Sequence, residues 1–139
     1  MDAYTKPLPQ PTPLTQPFWD AARKGELRIQ RCDQCARFRF YPTAVCSSCG
    51  SHAATWTRMS GRGAVFSWIV VRRAIEAAWK DAVPFTVAIV ELDEQKGLLV
   101  PGTLTGVEPS DVVAGMPVEV WFEPVSDEVS LTRWRPVPR

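Results

Sequence analysis

The sequence predicts a mainly β protein with one short helix near its N-terminus. All four cysteines lie in two Cys-x2-Cys pairs that are separated by ten residues, a spacing typical of a closed tetrahedral thiolate site. After residue 60 the chain holds five β-type runs separated by turns, which matches a small Greek-key barrel. We therefore expect a short N-terminal helix and a four-cysteine zinc ribbon, followed by a five-stranded OB-fold barrel.

The composition divides the 139 residues into three segments. Residues 1–16 form an extended Pro-rich arm, residues 17–60 hold the helix plus zinc ribbon, and residues 61–139 form the OB-fold. Alternate prolines in the arm, at Pro7, Pro9, Pro11 and Pro13, favour a polyproline-like conformation without a core of its own. Two interpretations stay open for the arm: a disordered tail, or a segment that lies along a partner subunit.

The helix is predicted over residues 17–24, with Pro17 at its first position and Gly25 as its stop signal. Two turns are too short to persist alone in water. Phe18 and Trp19 must therefore pack either on this chain's own ribbon or on another protein. A strand with Leu27 and Ile29 on one face then leads into the first cysteine pair.

The cysteine motif is the strongest chemical signal in the chain. Cys32, Cys35, Cys46 and Cys49 are predicted to bind one structural Zn²⁺, because four sulfur ligands leave no open position for water or substrate. Two disulfides, or a degenerate ribbon without metal, are the alternatives. His52, the only histidine, is expected at the surface rather than among the ligands.

Arginines and aromatic residues surround the cysteines. The arginines either offset the net −2 charge of a four-thiolate zinc centre or form a basic patch for phosphates, and the aromatic residues are expected to cover the metal site. They are Arg31, Arg37 and Arg39, and Phe38, Phe40 and Tyr41, with Pro42 turning the chain back toward the second pair.

The barrel is predicted from five runs with strand-like composition: residues 64–73, 84–93, 98–105, 118–123 and 129–134. Glycines at Gly61, Gly63, Gly102 and Gly115 suit the bulges and tight corners of a small closed barrel.

Charge and composition exclude several functions. The net charge is +1 overall, from +4 in residues 1–60 (8 basic, 4 acidic) and −3 in residues 61–139 (8 basic, 11 acidic). No nucleophile–histidine pair, phosphate-binding Gly-rich loop, signal peptide or membrane-length apolar stretch is apparent. Cysteines committed to one metal motif suit a reducing cytoplasm. We therefore expect a cytoplasmic protein that has no membrane partner and is not catalytic on its own.

Single-stranded nucleic-acid binding is the alternative function, because zinc ribbons and OB barrels both occur there. Aromatic residues for base stacking are available at Phe66, Trp68, Trp121, Phe122 and Trp134. Stacking platforms of this kind sit in a basic groove, and the barrel half is net acidic. We therefore expect no nucleic-acid partner.

Several motifs occur together in a fixed order. They are Phe18-Trp19, the paired cysteines with Pro42 between them, Gly61-Arg62-Gly63, Pro84-Phe85 before a Val-Ala-Ile-Val strand, Gly102, and Gly115-Met116-Pro117-Val118. Over residues 17–136 the chain resembles the rubredoxin-type zinc ribbon plus OB-fold family, first catalogued as a domain of unknown function and associated with acyl-CoA metabolism. One departure is Ala36, where a glycine commonly follows the first cysteine pair.

The resemblance implies a non-catalytic accessory subunit in a hetero-oligomer with a thiolase-like enzyme, a lipid-transfer-protein-type aldolase or a hydratase that acts on acyl-CoA. Such subunits hold the assembly together and help to form the CoA entrance. On this interpretation Phe18 and Trp19 are candidates for partner binding. Arg62, Arg72 and Arg73, near one long strand, are candidates for contact with the CoA phosphates.

Overall fold

The computed structural model describes residues 4–138, which contain one α-helix and eight strands. The elements are α1 (Gln16–Arg23), β1 (Arg28–Cys32), β2 (Phe38–Arg39), β3 (Ala54–Arg58), β4 (Arg62–Val71), β5 (Phe85–Leu92), β6 (Leu99–Leu104), β7 (Pro117–Pro124) and β8 (Ser130–Pro136). Single turns of 3-10 helix lie at Ala77–Trp79 and Pro109–Asp111. The predicted mainly β class, with its short helix, ribbon and barrel, is confirmed.

Helix α1 packs on the chain itself. It begins one residue before Pro17, and Arg23 occupies its last turn, where a cation complements the helix dipole. Its buried residues, Phe18, Ala21 and Ala22, face β1, β7 and β8. The short helix is thus stabilised by apolar contact with both the ribbon and the barrel. Across residues 4–138, no helix has the length and apolar character needed to span a membrane.

The ribbon is a three-stranded antiparallel sheet in the order β2-β1-β3. Its central strand β1 pairs along its full length with β3 and at two positions with β2. Ile29 on β1 is fully buried and belongs to the same apolar cluster as the barrel core. The ribbon therefore has a small apolar base, and the two cysteine pairs extend beyond it.

The second sheet is a closed barrel in the order β4-β5-β6-β8-β7. Residues Arg62–Ala64 of β4 pair with Pro117–Glu119 of β7, and β6 closes against β8 through a parallel contact. That contact has two register pairs, Thr103 with Arg133 and Leu104 with Trp134. This arrangement is the five-stranded OB topology that the sequence predicts. The first barrel strand ends at Val71 rather than at residue 73.

The barrel core is centred on Trp134, which is fully buried. Gly102 makes this possible: a Cβ atom at this position would lie 2.7 Å from the indole Cδ1 atom of Trp134 and 3.0 Å from the Thr132 carbonyl oxygen. Gly102 thus serves close packing, whereas the sequence suggested a bulge or corner. The observed register shift in β4 lies between Val65 and Ser67 and involves no glycine.

The ribbon and barrel are joined by side chains from the β5–β6 turn. The Gln95 side chain accepts a hydrogen bond from the Phe38 amide (3.0 Å) and donates one to the Phe38 carbonyl (2.9 Å). Its amide group therefore pairs with the edge strand β2 as a neighbouring strand would. The Glu94 carboxylate accepts a bond of 2.7 Å from the Ser60 amide. These contacts hold the ribbon against the barrel.

The described part of the arm has no regular secondary structure before α1. The Lys6 ammonium lies 5.6 Å from the ring centroids of both Tyr4 and Trp79. Trp79 belongs to the connection between β4 and β5. In this chain the arm therefore lies on its own barrel, an arrangement that neither sequence interpretation included.

Candidate functional site

The two cysteine pairs share one backbone geometry. The Ala36 amide donates to the Cys32 carbonyl, and the Gly50 amide donates to the Cys46 carbonyl, both at 2.9 Å. Residues 36 and 50 both have positive φ angles, of 63° and 78°. Ala36 therefore adopts the left-handed conformation that glycine adopts at the equivalent point of the second pair. A Cβ atom in this conformation costs about 1 kcal/mol.

The four sulfur atoms converge on one point. The Sγ atoms of Cys32 and Cys49 lie 3.4 Å apart and those of Cys35 and Cys46 3.7 Å apart, and all four lie within 4.8 Å of one another. A tetrahedral ion with metal–sulfur bonds of about 2.3 Å requires sulfur separations of about 3.8 Å. The donor set and its spacing therefore fit a thiolate-bound metal. All four cysteines are free, which excludes the disulfide alternative in this structure.

Backbone amides prepare two of the thiols for ionisation. The Cys35 amide, followed by that of Gln34, lowers the pKa of Cys32 to about 6 against the opposing effect of burial. The amides of Cys49 and Ser48 lower the pKa of Cys46 in the same way.

Cys49 behaves differently from these two cysteines. Although the Ser51 amide favours its thiolate, the adjacent Cys32 sulfur, burial and the remaining sulfurs raise the pKa of Cys49 to about 12. The environment thus favours the thiolates of Cys32 and Cys46 and disfavours that of Cys49. A bound cation would supply the positive charge that a fully ionised set of four thiolates requires.

The exposure of the cysteines alternates. Cys32 and Cys46 are buried, whereas Cys35 and Cys49 are exposed. His52 is exposed and does not belong to the sulfur cluster, as the sequence predicts. A metal site whose four ligand positions are all thiolates has no open position for substrate.

Two of the nearby arginines stabilise the ribbon backbone. The Arg31 guanidinium donates a bond of 3.1 Å to the Ala36 carbonyl. The Arg39 guanidinium donates to the Gln30 side chain (3.1 Å) and to the Thr43 carbonyl (3.0 Å). These bonds support a structural role for both residues over a phosphate-binding patch. Arg37 is exposed.

The aromatic residues in and after β2 also pack on other parts of the chain, and their role as a cover for the metal site stays a prediction. The Phe40 ring lies 5.8 Å from that of Phe18 and 4.5 Å from that of Tyr41. Phe38 packs against the barrel core cluster. The reason is the docking of the ribbon on the barrel, which directs these rings toward α1 and the barrel wall.

A cleft of about 350 Å³ lies between α1, the ribbon and the outer wall of the barrel. One wall holds Thr15, Phe18, Trp19, Phe40, Tyr41 and Pro42; the other holds Val87, Pro101, Gly102, Thr103, Leu131, Thr132 and Arg133. We refer to it as the α1 cleft. Sequence reasoning missed it because it depends on the angle at which the ribbon docks.

The predicted partner-binding pair has two different environments. Phe18 is 7% exposed and lies inside the chain, with its ring 5.1 Å from that of Trp19 in an edge-to-face contact. Trp19 is half-buried and lines the α1 cleft. The docking role of the pair stays a prediction, and Trp19 is the residue with surface available for it.

The three candidate CoA-contacting arginines are not brought together. Arg62 is the first residue of β4, whereas Arg72 and Arg73 follow its last residue. A strand of this length separates the two positions by about 30 Å. Arg73 instead lies in the same surface depression as Pro7 and Trp79. Lys6, which the sequence did not single out, adds a cation beside Trp79.

The aromatic residues considered for base stacking form no common platform. Trp134 is fully buried, and Trp68 and Phe122 pack against the core. Trp121 donates its indole hydrogen bond to a threonine of the same barrel. Phe66 alone among the five is strongly exposed, at 57%. This distribution argues against the nucleic-acid alternative.

Comparison with known families accounts for most of the chain. Residues 19–54 match the family model described as "ChsH2, rubredoxin-like zinc ribbon domain". Residues 56–123 match the model described as "ChsH2, C-terminal OB-fold domain". The ribbon model includes all four cysteines, and the barrel model begins in β3 and ends in β7.

Two curated relatives extend the match. A probable enoyl-CoA hydratase alpha subunit of Thermomonospora curvata is 36% identical over 121 residues, which cover 86% of this chain. The chain spans 36% of the length of that relative. A DUF35 domain-containing scaffold protein of Methanothermobacter thermautotrophicus is 30% identical over 107 residues, covering 76% of this chain and 78% of the relative.

A solved structure also agrees. A chain of the structure named "Ltp2-ChsH2(DUF35) aldolase" superposes with a TM-score of 0.82 and 32% identity, covering 93% of this chain and 98% of that one. Since both units match in the same order over most of this chain, the chain belongs to the DUF35 family, which joins a ChsH2-type rubredoxin-like zinc ribbon to an OB-fold domain.

Proposed function

We propose that this chain is a non-catalytic accessory subunit of an acyl-CoA-processing complex, with a thiolase-fold enzyme of the thiolase or aldolase type as its partner. The single observation that supports this most is the match along nearly the whole chain to one component of an aldolase assembly. A hydratase alpha subunit among the relatives supports the same substrate class. The subunit is placed in the cytoplasm, where a thiolate centre stays reduced.

The metal is proposed to be one Zn²⁺ per chain, bound by Cys32, Cys35, Cys46 and Cys49. The four convergent sulfurs match the ligand number and softness that Zn²⁺ prefers in closed structural sites. Its role is to hold the ribbon in the shape that docks against α1 and the β5–β6 turn. The ribbon in turn provides one wall of the α1 cleft.

Contact with CoA is proposed at the end of β4, where Arg72 and Arg73 leave the barrel. The rings of Trp79 and Phe85 stack there with centroids 5.4 Å apart, and Lys6 lies beside Trp79. Flat aromatic surfaces with adjacent cations suit the adenine and phosphates of a nucleotide. Arg62, at the opposite end of β4, is too distant to join this contact.

The test is co-expression of this chain with a thiolase-fold acyl-CoA enzyme of the same organism. We expect a stoichiometric complex on size exclusion, one zinc per accessory chain by elemental analysis, and no acyl-CoA turnover by this chain alone. Trp19→Ala and removal of residues 1–16 should each weaken the complex, since large aromatic residues are common interface anchors. A wild-type chain that forms no complex, or that turns over acyl-CoA by itself, would contradict the proposal.

A further inference from the structure

The arm and the barrel enclose a second cavity besides the α1 cleft, with a volume of about 300 Å³. The arm contributes one side of this cavity. The outer surface of the barrel and the connection between β4 and β5 contribute the other side. We call it the arm pocket, and its principal lining residues are Tyr4, Lys6, Trp79, Phe85, Trp121 and Glu123.

Four of these six residues are aromatic. The rings of Trp79 and Phe85 are stacked with centroids 5.4 Å apart. The indole of Trp121 is held in place by the hydrogen bond of 2.9 Å that it donates to the Thr105 hydroxyl. Aromatic faces at the wall of a cavity stack on flat ligands, and every nucleobase has such a face. The arm pocket therefore favours a planar ring over an aliphatic chain.

One hydrogen-bond acceptor of the arm pocket has no partner. The Arg133 guanidinium makes both of its contacts with Glu123 on the same carboxylate oxygen, Oε2, at 2.9 Å from Nε and 2.8 Å from Nη2. The other oxygen, Oε1, is left without a hydrogen-bond partner in the part of the chain that the structure describes. Adenine carries an exocyclic amine that donates to an acceptor of this kind.

Cations outnumber anions around the arm pocket. Lys6 lines it, and Arg73 lies in the depression on the other side of Trp79, which it shares with Glu76. Residues 72–84 hold three basic and two acidic residues, so that Lys6 brings the local charge to +2. Neither Lys6 nor Arg73 takes part in the four ion pairs within residues 4–138. The excess positive charge suits phosphate groups beside a bound ring.

The arm is stiff along its length and fixed at its root. Its alternate prolines favour an extended polyproline conformation. At the root the Thr15 amide donates to the Thr12 carbonyl (3.0 Å), and the Thr12 amide donates to the Thr15 hydroxyl (2.9 Å). Within the described residues, no backbone hydrogen bond joins residues 4–11 to the barrel. The arm can therefore leave the barrel and return without breaking a sheet or a helix.

The arm lines the cavity rather than filling it. With the arm in place, about 300 Å³ stays open between it and the barrel. An arm that blocked the site would occupy this space itself. The Lys6 ammonium lies 5.6 Å from the ring centroids of Tyr4 and Trp79, and a cation–ring contact at an exposed site is weak. A phosphate can therefore draw this ammonium away from the rings.

We infer that residues 4–7 form a strap that completes an adenine-nucleotide site. The adenine ring of CoA stacks in the arm pocket and its amine donates to Glu123, while Lys6 and Arg73 bind phosphates on the two sides of Trp79. The inference rests on the proposed function and deepens it. It assigns the contact with CoA to a pocket that this chain forms by itself, with the arm as the movable wall.

The experiment measures the binding of CoA to the full-length chain alone by isothermal titration calorimetry. Tyr4→Ala and Trp79→Ala should each raise the dissociation constant about tenfold or more, because each removes a stacking surface. Tyr41→Ala is the matched control, since Tyr41 is the other tyrosine of the chain and is 66% exposed outside the arm pocket. Unchanged zinc content and circular dichroism show that each variant is folded.

A charge reversal and a truncation test the strap. Lys6→Glu should weaken CoA binding about tenfold at low salt and less at high salt, since exposed charges are screened. Lys96→Glu, in the turn between β5 and β6, should bind as wild type does. Removal of residues 1–10 should weaken binding at least as much as Tyr4→Ala and leave the stability of the barrel unchanged.

Fragments of CoA locate the part that the pocket binds. The adenine nucleotide portion without pantetheine should retain most of the affinity, and pantetheine alone should not bind. Hydrogen exchange with CoA bound should show new protection in residues 79–85. Binding of pantetheine in place of the nucleotide portion would contradict the assignment of the adenine ring to the arm pocket.

Three further results would overturn the inference. A wild-type chain that does not bind CoA removes the site. Tighter binding after removal of residues 1–10 makes the arm an occupant of the site instead of its wall. Equal affinity of wild type, Tyr4→Ala and Lys6→Glu places CoA elsewhere on the chain. Failure of the proposed function is seen separately, as the absence of a complex with the thiolase-fold enzyme, whether or not this chain binds CoA.

Discussion

The ribbon and the barrel are stabilised by different means. The ribbon holds its tip together through four convergent sulfurs and a repeated backbone turn, whereas the barrel buries a fully enclosed Trp134 among aliphatic residues. Coordination is concentrated in four side chains, while apolar burial is distributed over many. One small chain can therefore contain two units that fail under different perturbations.

The largest effect is expected from Cys35→Ser. Removing one ligand should abolish metal binding and unfold the ribbon, because metal affinity of about 10 kcal/mol or more is coupled to folding in sites of this kind. Hydrogen exchange should show loss of protection in β1 to β3 and its retention in β4 and β5. Ser47→Ala, at an exposed position that is not a ligand, is the control. Unfolding of both units together would show that they are not separable.

The corresponding substitution in the barrel is Trp134→Ala, which should destabilise the barrel by about 3–5 kcal/mol through the cavity that it leaves. Denaturant unfolding, followed by the fluorescence of the tryptophans that remain in the barrel, measures the loss of stability. Zinc content should stay near one per chain in native buffer, since no ligand is touched. Loss of metal in parallel with barrel stability would mean that the ribbon depends on the barrel core for its fold.

A smaller effect is expected at the joint between the units. Gln95→Ala removes both hydrogen bonds to the Phe38 backbone and should cost about 1–3 kcal/mol, because the backbone groups lose their partners. The two units should then unfold at more widely separated denaturant concentrations. Lys96→Ala, one residue further along the exposed turn, should leave both transitions unchanged.

The smallest change is stabilising and confined to the ribbon. Ala36→Gly should relieve about 1 kcal/mol of backbone strain at φ 63°. Gly50→Ala should introduce a similar strain in the second cysteine pair, where φ is 78°. Competition with a chelator should slow for the first variant and accelerate for the second, with barrel unfolding unaffected. If both substitutions changed the rate of chelator competition in the same direction, the two cysteine turns would not be conformationally equivalent.

Local patterns in the sequence predicted much of this fold. The ligand spacing defines the cysteine turns by itself, and alternation in the β runs distinguishes core from exterior. The long-range geometry was less accessible. Gln95 reads as an ordinary turn residue, and its pairing with β2, 57 positions away, leaves no periodic signal.

The candidate site shows the same division. The four ligands were predicted because they lie close in sequence, and the structure brings their sulfur atoms together. Arg62, Arg72 and Arg73 were grouped because they lie near one strand, yet a strand separates its own ends by its full length. Phe18 was expected to pack either on this chain's own ribbon or on a partner, because a two-turn helix needs support, and the structure buries it within the chain.

The parallel seam between β6 and β8 has a kinetic consequence for the barrel. The two register pairs at this seam are braced by the Arg133 guanidinium, which donates 2.8 Å to the Thr103 hydroxyl and pairs with Glu123 at 2.8 Å. Transient separation of so short a seam exposes few groups, so the barrel should open there before it opens elsewhere. The α1 cleft lies directly over this seam, since Thr103 and Arg133 line it, and an occupant of the cleft should therefore lengthen the lifetime of the closed state.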